Sequence, residues 1–217
     1  MAICLIKSSI DLGPQFVLTP ERYNPKRRMT AIKDDGILLS ELVTLSNEIV
    51  SIRQSIEKEC YQINTSDAME GCLRISAEKE VLKSNKKRLH KGEVIISRLR
   101  PYLRQVAFVD VDTEQELICA STEFYVLRSL GEDSIAYLVP FLLSDAAQRV
   151  FENAVEGSQH PRFKEEDLLN LIIPRKIFDK RHEISERVTA AIRSFRFYED
   201  GIFGEIKRVN LFTGNCF

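Results

Sequence analysis

The residues of this 217-residue chain whose types and spacing could do chemistry are cations gathered in one stretch. Residues 83–104 contain eight bases and a single acid, Glu93. Residues 110–133 then contain seven acids and a single base, Arg128, so the net charge of −1 conceals a strong separation of charge. A basic block of this size indicates a face for a polyanion. The alternative interpretation is a solvated loop followed by an amphipathic strand.

Catalytic motifs are scarce. The sequence contains no Gly-rich nucleotide loop, no G-x-S-x-G turn and no H-E-x-x-H helix. Asn24-Pro25-Lys26-Arg27 is not the Asn/Asp-Pro-Pro-aromatic motif with which adenine methyltransferases hold a flipped base. The five cysteines form no C-x-x-C pair, and no histidine lies within a helical turn of one. We therefore expect no enzyme, no catalytic residue, no metal site, no disulfide framework and no cofactor on this chain.

The elements that must position the cations are those of an ordinary globular protein, with 44% hydrophobic residues and no Trp. A chain of this size can bury one sizeable core. The longest uncharged apolar stretch, 135–143, is far shorter than the roughly 20 residues of a membrane span. The N-terminus shows no secretory signal, so a cytoplasmic location is expected.

Short apolar runs predict strands in the first two thirds of the chain. The runs at 2–6, 16–18, 37–39 and 42–45 are separated by Gly, Pro, Asn and Asp, which favours short strands over a helical bundle. Residues 91–100 predict a turn and a β-branched strand. Residues 106–111, 117–119 and 124–127 predict further strands of the same sheet.

Helices are predicted after these strands. They cover 134–143 and 145–155, with Asp145 as the N-cap of the second helix and Gly157 as its stop. From residue 179 onward the pattern predicts a helix with an apolar stripe at coiled-coil spacing. This stripe implies a partner helix, either in another chain or in the chain's own body. It consists of Ile184, Val188, Ala191, Phe195, Tyr198, Ile202 and Val209.

Five motifs in order resemble the target recognition domain of type I restriction-modification specificity subunits. They cover roughly residues 18–205, and each is weak when taken alone. The most specific is EGSQHPRFKEEDLLNLIIP at 156–174, which follows the family pattern G-[ST]-x-x-P-x-[LF]-x-x-x-D-L-x-x-[LI]-x-[IV]-P. The other four are LTPERYNP at 18–25, the turn at 65–71, KGEVIISR at 91–98 and ASTEFYVLR at 120–128.

The resemblance implies an α/β (α+β) mixed β-sheet domain with flanking helices at 1–178. It also implies a C-terminal coiled-coil-like dimerisation or docking helix and tail at 179–217. A typical specificity subunit has two recognition domains and long helices between them, so this chain resembles a half-subunit or a truncated copy. Residues 174–180 also depart from the usual P-L-P-P exit, which puts the standard docking of that helix in doubt.

The resemblance implies a non-catalytic reader of double-stranded DNA that directs an adenine-N6 methyltransferase or restriction complex. Its partners would be DNA, a methyltransferase subunit that carries S-adenosylmethionine, an ATP-driven translocase-nuclease subunit, and a second copy bound through the C-terminal helix. The predicted partner-binding residues are Ile184, Val188, Phe195, Tyr198 and Ile202.

Two groups of side chains are candidates for DNA contact. Cations suit phosphates, whereas arginine forks and glutamine amides suit base edges. The phosphate candidates are Lys83, Lys86, Lys87, Arg88 and Lys91, and the base candidates are Arg98, Arg100, Arg104, Gln105, Gln159, His160 and Arg162. Arg98 could instead pair with Glu93 or Glu123, and Gln159 could cap the helix near Lys164.

Two other function classes stay open at this point. One is a protein-interaction scaffold that keeps the recognition fold without reading DNA. The other is an enzyme with a hydrolytic site around Ser158, His160 and Asp167, which only their proximity in sequence supports.

Overall fold

The computed structural model describes residues 6, 8–9, 35–52, 59–76, 78–155 and 159–212, apart from the side chains of 207, 211 and 212. The run at 16–18, the motif at 18–25, Gly157 and Ser158 lie outside the described residues.

The described elements are short strands followed by helices. In chain order the strands are β1 (Gly36–Leu38), β2 (Val43–Leu45), β3 (Ile49–Val50), β4 (Glu59–Ile63), β5 (Ala68–Met69), β6 (Cys72–Leu73), β7 (Glu80–Val81), β8 (Lys86–Arg88), β9 (Val94–Ser97), β10 (Val106–Phe108), β11 (Ile118–Ala120), β12 (Phe124–Ser129) and β13 (Ile172–Pro174). The helices are α1 (Leu138–Leu143), α2 (Asp145–Ala154), α3 (Glu165–Leu169), α4 (Arg175–Asp179) and α5 (Arg181–Phe212).

The central sheet has the order β10-β9-β12-β2, with antiparallel neighbours, and separates two hydrophobic cores. Strand side chains alternate between faces, so Ile96 and Tyr125 lie on one side while Ile95 and Val126 lie on the other. The first side packs under α1, α2 and Phe163. The second side packs against a second sheet. Burial on both faces explains why 94–97 are buried without exception.

The second sheet has the order β3-β8-β11-β4-β7 and corrects one sequence expectation. The run at 117–119 was expected in the same sheet as 94–97 and 124–127, but β11 pairs parallel with β4, at Ile118↔Tyr61, and antiparallel with β8. The run is apolar because it is buried in the core between the sheets and beside Cys60. Its composition alone could not assign it to either sheet.

The paired helices form near the expected positions, with two corrections. The N-cap of α2 is Ser144, not Asp145, since the Ser144 hydroxyl accepts from the Ala147 amide at 3.4 Å. Asp145 is the first helical residue, where a carboxylate favours the positive end of the helix dipole. Helix α1 begins at Leu138 rather than 134, because the residues before it form tight turns in which the Leu138 amide donates to the Ile135 carbonyl at 2.9 Å.

Helix α5 consists of an inner segment, residues 181–199, and an outer segment, residues 200–212. The inner segment contacts the body through buried Ser185 and Ile192 and through Arg196, which donates to both carboxylate oxygens of Asp110 at 2.8 and 2.9 Å. Every residue of the outer segment with a described side chain is exposed. The predicted class, an α/β (α+β) mixed-sheet fold with a C-terminal helix, is confirmed.

No helix in the described part of the chain combines the length and apolarity needed to cross a membrane. Within the same residues, no group of three or more His, Cys, Asp or Glu side chains could hold a metal ion.

Candidate nucleic-acid interface

Two segments that are distant in sequence meet at one end of the central sheet. The Arg100 amide donates to the Pro161 carbonyl at 2.8 Å, and the Phe163 amide donates to the Arg98 carbonyl at 3.2 Å. A β-bridge joins Leu99 to Arg162. The fold thus places residues 98–105 beside residues 160–163, and we call this surface the arginine surface.

A tight 3-10 turn, Pro101–Leu103, forms part of the arginine surface. The residues on either side, Arg100 and Arg104, each have φ near 50°, a left-handed conformation that is uncommon outside glycine. Such strain persists only where surrounding contacts enforce it and is frequent at functional sites. In this turn, Tyr102 is 56% exposed and Leu103 is 48% exposed. Neither residue was predicted from the sequence, although an aromatic after Arg-Pro in a basic block was the available signal.

Glu123 is the carboxylate on which the arginine surface is organised. Its Oε2 accepts from Arg98 Nε at 3.1 Å and from Arg162 Nε at 2.9 Å, while its Oε1 accepts from Arg162 Nη2 at 2.8 Å. Hydrogen bonds from Arg162, and then from Arg98, lower the pKa of Glu123 despite its partial burial. The predicted alternative partner of Arg98, Glu123, is therefore confirmed. Like Tyr102 and Leu103, Glu123 was not among the site residues predicted from the sequence.

Lys87 lies behind this surface rather than on it. Its side chain is buried, with 8% exposure, and Nζ donates to Asn47 Oδ1 at 3.1 Å. The ammonium group also lies 6.0 Å from the centre of the Tyr125 ring. Burial, followed by repulsion from Arg98, lowers the pKa of Lys87. Lys87 thus adds positive charge beneath the arginine surface.

The other predicted phosphate ligands do not share this face. Because strand side chains alternate, Lys86 and Arg88 of β8 point to the side opposite Lys87. Arg88 Nη1 lies 3.6 Å from a Glu48 carboxylate oxygen. Lys83 and Lys91 are exposed in loops on either side of this strand. The basic block of the sequence is therefore divided between two faces.

The remaining predicted base readers lie at the edges of the arginine surface. Arg104 pairs with Asp145 and donates to the Leu143 carbonyl at 3.2 Å, and its hydrogen bond lowers the pKa of Asp145. Gln105 is half-buried, whereas Gln159 and His160 are exposed.

A residue of α3 itself caps the start of this helix. There the Lys164 amide donates to Asp167 Oδ2 at 2.9 Å. That contact gives Asp167 a structural role at the helix start, and the third member of the hydrolytic alternative, Ser158, lies outside the described residues.

The predicted partner-binding residues divide between the segments of α5. Ile184 and Val188 pack against the chain's own core, and Phe195 is half-buried. Tyr198 and Ile202 are exposed.

The structure is similar to known protein structures, whereas no family model and no curated protein matches the sequence. One similar chain comes from work described as the structural basis underlying complex assembly and conformational transition of the type I R-M system. The match covers 82% of this chain and 47% of that chain, at 20% identity and a TM-score of 0.57. The crystal structure of the HsdS subunit from Thermoanaerobacter tengcongensis matches over 81% of this chain and 47% of that chain, at 20% identity. Its TM-score is 0.49, which adds nothing to the fold assignment.

This chain spans about half the length of the chains that it matches. The first match is far below the identity at which function can be transferred, so it concerns the fold. The chain therefore shares the fold of a protein from a type I R-M system, which confirms, for the fold, the resemblance found in its sequence motifs.

Proposed function

We propose that the chain recognises double-stranded DNA sequence-specifically, as the non-catalytic specificity subunit or half-subunit of a type I restriction-modification system. The observation that carries this proposal is the arginine surface on the fold of a type I R-M protein. Two backbone segments that are distant in sequence are joined there, and they carry Arg98, Arg100, Arg104 and Arg162 together with an exposed Tyr102.

The chemistry of that surface suits base recognition better than phosphate binding alone. Arginine forks that are held in place suit the paired acceptors of guanine in the major groove. Arg98 and Arg162 are held by Glu123, and Arg104 is held by Asp145. Loose exposed lysines such as Lys83 and Lys91 suit phosphates, which add affinity without sequence information. This division supports a surface that reads sequence, while the exposed lysines elsewhere on the domain would add attraction without sequence information.

The proposal includes partners in other chains. Residues 1–178 would form the recognition domain, and 179–217 would dock to a second copy or to a methyltransferase subunit for adenine N6. Because the chain spans about half of the chains that it matches, a second copy would supply the other half-site. The exposed outer segment of α5 supports this arrangement. Of the predicted partner-binding residues, Ile202 lies in this segment and Tyr198 lies just before it, and both are exposed.

The test is selection from a randomised duplex pool by the purified chain at two salt concentrations, with its solution mass measured in parallel. We expect sequence enrichment together with a steep loss of binding as salt rises, because each phosphate contact contributes about 0.9 to the slope of log affinity against log salt. Two-part enriched sites and a dimer mass would support the half-subunit. No retention of DNA at low salt would contradict the proposal.

A second candidate, a protein-interaction scaffold, is favoured by one observation. Arg98, Arg104 and Arg162 already pair with acids of the same chain, so their charge is partly neutralised. A scaffold predicts weak DNA binding with little dependence on salt, together with binding of a protein to the outer segment of α5. The same selection experiment separates the two candidates.

A further inference from the structure

We infer that Glu123 is a positioning residue of the arginine surface, which fixes the directions in which Arg98 and Arg162 present their donors to base edges. The inference rests on the proposed function and deepens it. Glu123 itself would not contact DNA, since its side chain is 22% exposed whereas those of Arg98 and Arg162 are 37% and 39% exposed.

The backbone that carries the Glu123 carboxylate is held in place by hydrogen bonds and by the buried start of β12. The Glu123 amide donates to Ser121 Oγ at 3.3 Å, and the Glu123 carbonyl accepts from the Arg98 amide at 2.9 Å. The next residue, Phe124, begins β12 and is completely buried. The position of the carboxylate is therefore set by the central sheet rather than by the loops that it organises.

The contacts to Glu123 do not use all five N–H donors of either guanidinium group. Arg98 reaches Glu123 through Nε and also interacts with the Tyr125 hydroxyl, so its side chain is held from two sides. Arg162 uses Nε and Nη2 for Glu123, while its Nη1 donates to the His160 carbonyl at 3.2 Å. One acid thus couples the end of β9 to the 160–163 loop through side chains as well as backbone.

An acid in this place works against non-specific attraction. A surface built only to attract phosphates would gain from every positive charge, and Glu123 removes one. What the acid contributes instead is preorganisation, because a fixed arginine loses less side-chain entropy on binding than a free one. Sequence discrimination should therefore depend on Glu123 more than total affinity does.

The experiment compares Glu123→Gln with a matched control, Asp110→Asn, in the full chain. Asp110 accepts two hydrogen bonds from Arg196 of α5, and the two side chains are 18% and 20% exposed, respectively. This ion pair is therefore partly buried like that of Glu123 but lies away from the arginine surface. For each protein, Kd is measured for the selected duplex and for a scrambled duplex across a salt series. Circular dichroism checks that each variant is folded.

The discrimination ratio is the Kd for the scrambled duplex divided by the Kd for the selected duplex. We expect this ratio to fall at least about tenfold in Glu123→Gln, the loss expected for one bidentate base contact. The salt slope should change by less than one phosphate contact, about 0.9. Asp110→Asn should keep the ratio. Arg162→Lys keeps the charge but loses the planar fork, so it should lower the ratio in the same way. This variant replaces Glu123→Gln in the test if Glu123→Gln does not fold.

Two results would overturn the inference while leaving the proposed function intact. One is an unchanged ratio in folded Glu123→Gln or, failing that variant, in Arg162→Lys. The other is an equal loss of the ratio in Asp110→Asn, which would make the effect one of general stability. If the unaltered chain enriches no sequence at all, the proposed function fails and the inference fails with it.

Discussion

The inner and outer segments of α5 belong to one continuous helix but face different surroundings. Ile192 in the inner segment is 3% exposed, whereas Ile206, two heptads later on the same face, is 48% exposed. The helix therefore continues beyond the end of the body that covers it, and the buried Ile192 lies next to the predicted apolar stripe rather than in it. The comparison teaches that apolar periodicity identifies a face that packs, but does not identify what it packs against.

The inner segment is also held to the body by polar contacts. Ser185 Oγ accepts from the Tyr137 amide and donates to the Ser134 carbonyl at 3.2 Å. Arg196 bridges Asp110 and Glu199. In the outer segment, Arg208 pairs with Glu205 along the same helix, which adds no contact to the body. The two segments should therefore respond differently to the same kind of substitution.

The largest expected difference is between Ile192→Ala and Ile206→Ala. Truncating the buried isoleucine should lower the free energy of unfolding by about 3 kcal/mol, through lost transfer energy and a cavity. Truncating the exposed one should change it by less than about 0.5 kcal/mol. Urea unfolding of the two variants measures the difference. Equal losses would mean that a partner already covers the outer segment in solution.

The ion pairs give the next contrast. Asp110→Asn removes a charged acceptor from half-buried Arg196 and should lower the free energy of unfolding by about 2 kcal/mol. Glu205→Gln removes the exposed partner of Arg208 and should cost less than about 0.5 kcal/mol. The measurement is again urea unfolding, at low and high salt. A cost for Asp110→Asn as small as that for Glu205→Gln would show that Arg196 does not fasten the helix to the body.

Gly201 and Gly204 probe whether the outer segment is coupled to the body. A Cβ at either position would meet open space, and alanine in place of glycine inside a helix gains about 1 kcal/mol per residue. If the outer segment frays independently, Gly201→Ala with Gly204→Ala should slow amide hydrogen exchange at 200–210 and leave the Tm of the body unchanged. A raised Tm would instead show that the helix unfolds with the body.

The smallest stability effect, and the most informative one for assembly, belongs to Phe203→Ser with Ile206→Ser. Both side chains are exposed, so the free energy of unfolding of the single chain should change by less than about 0.5 kcal/mol. If a second copy docks on the outer segment, the variant should have the mass of one chain where the unaltered protein has the mass of two. Analytical ultracentrifugation measures this. Identical masses would remove the outer segment as a dimer contact.

Much of the fold could be predicted from the sequence because its apolar runs are clear. Residues 94–97 and 124–127 form strands of one sheet as expected, since β-branched and aromatic residues buried on two faces leave a continuous apolar signal. The strand at 118–120 gave the same signal but joined the other sheet. Sheet membership depends on pairing with β4, more than 50 residues earlier, and the local sequence carries no information about it.

The polar parts of the molecule were predicted less well. On α5, the face that contacts the body includes Ser185 and Arg196, which a pattern of apolar residues does not select. In the basic block, residue type indicated cations but could not show that Lys87 is buried. Glu123 was considered only as a partner for Arg98, because its second partner, Arg162, comes from a loop 39 residues later.

The pairing of β1 with β13 affects the order in which the protein can fold during synthesis. Gly36 lies opposite Pro174, and a Cβ on Gly36 would come 2.4 Å from Ile172 Cγ2, so the two strands fit only as close neighbours. At about 5–20 residues per second, β1 has to wait roughly 7 to 27 seconds for its partner. The central sheet, whose strands are complete by residue 129, can close in the meantime. The ribosome therefore delivers the strand that completes the body only shortly before it delivers α5.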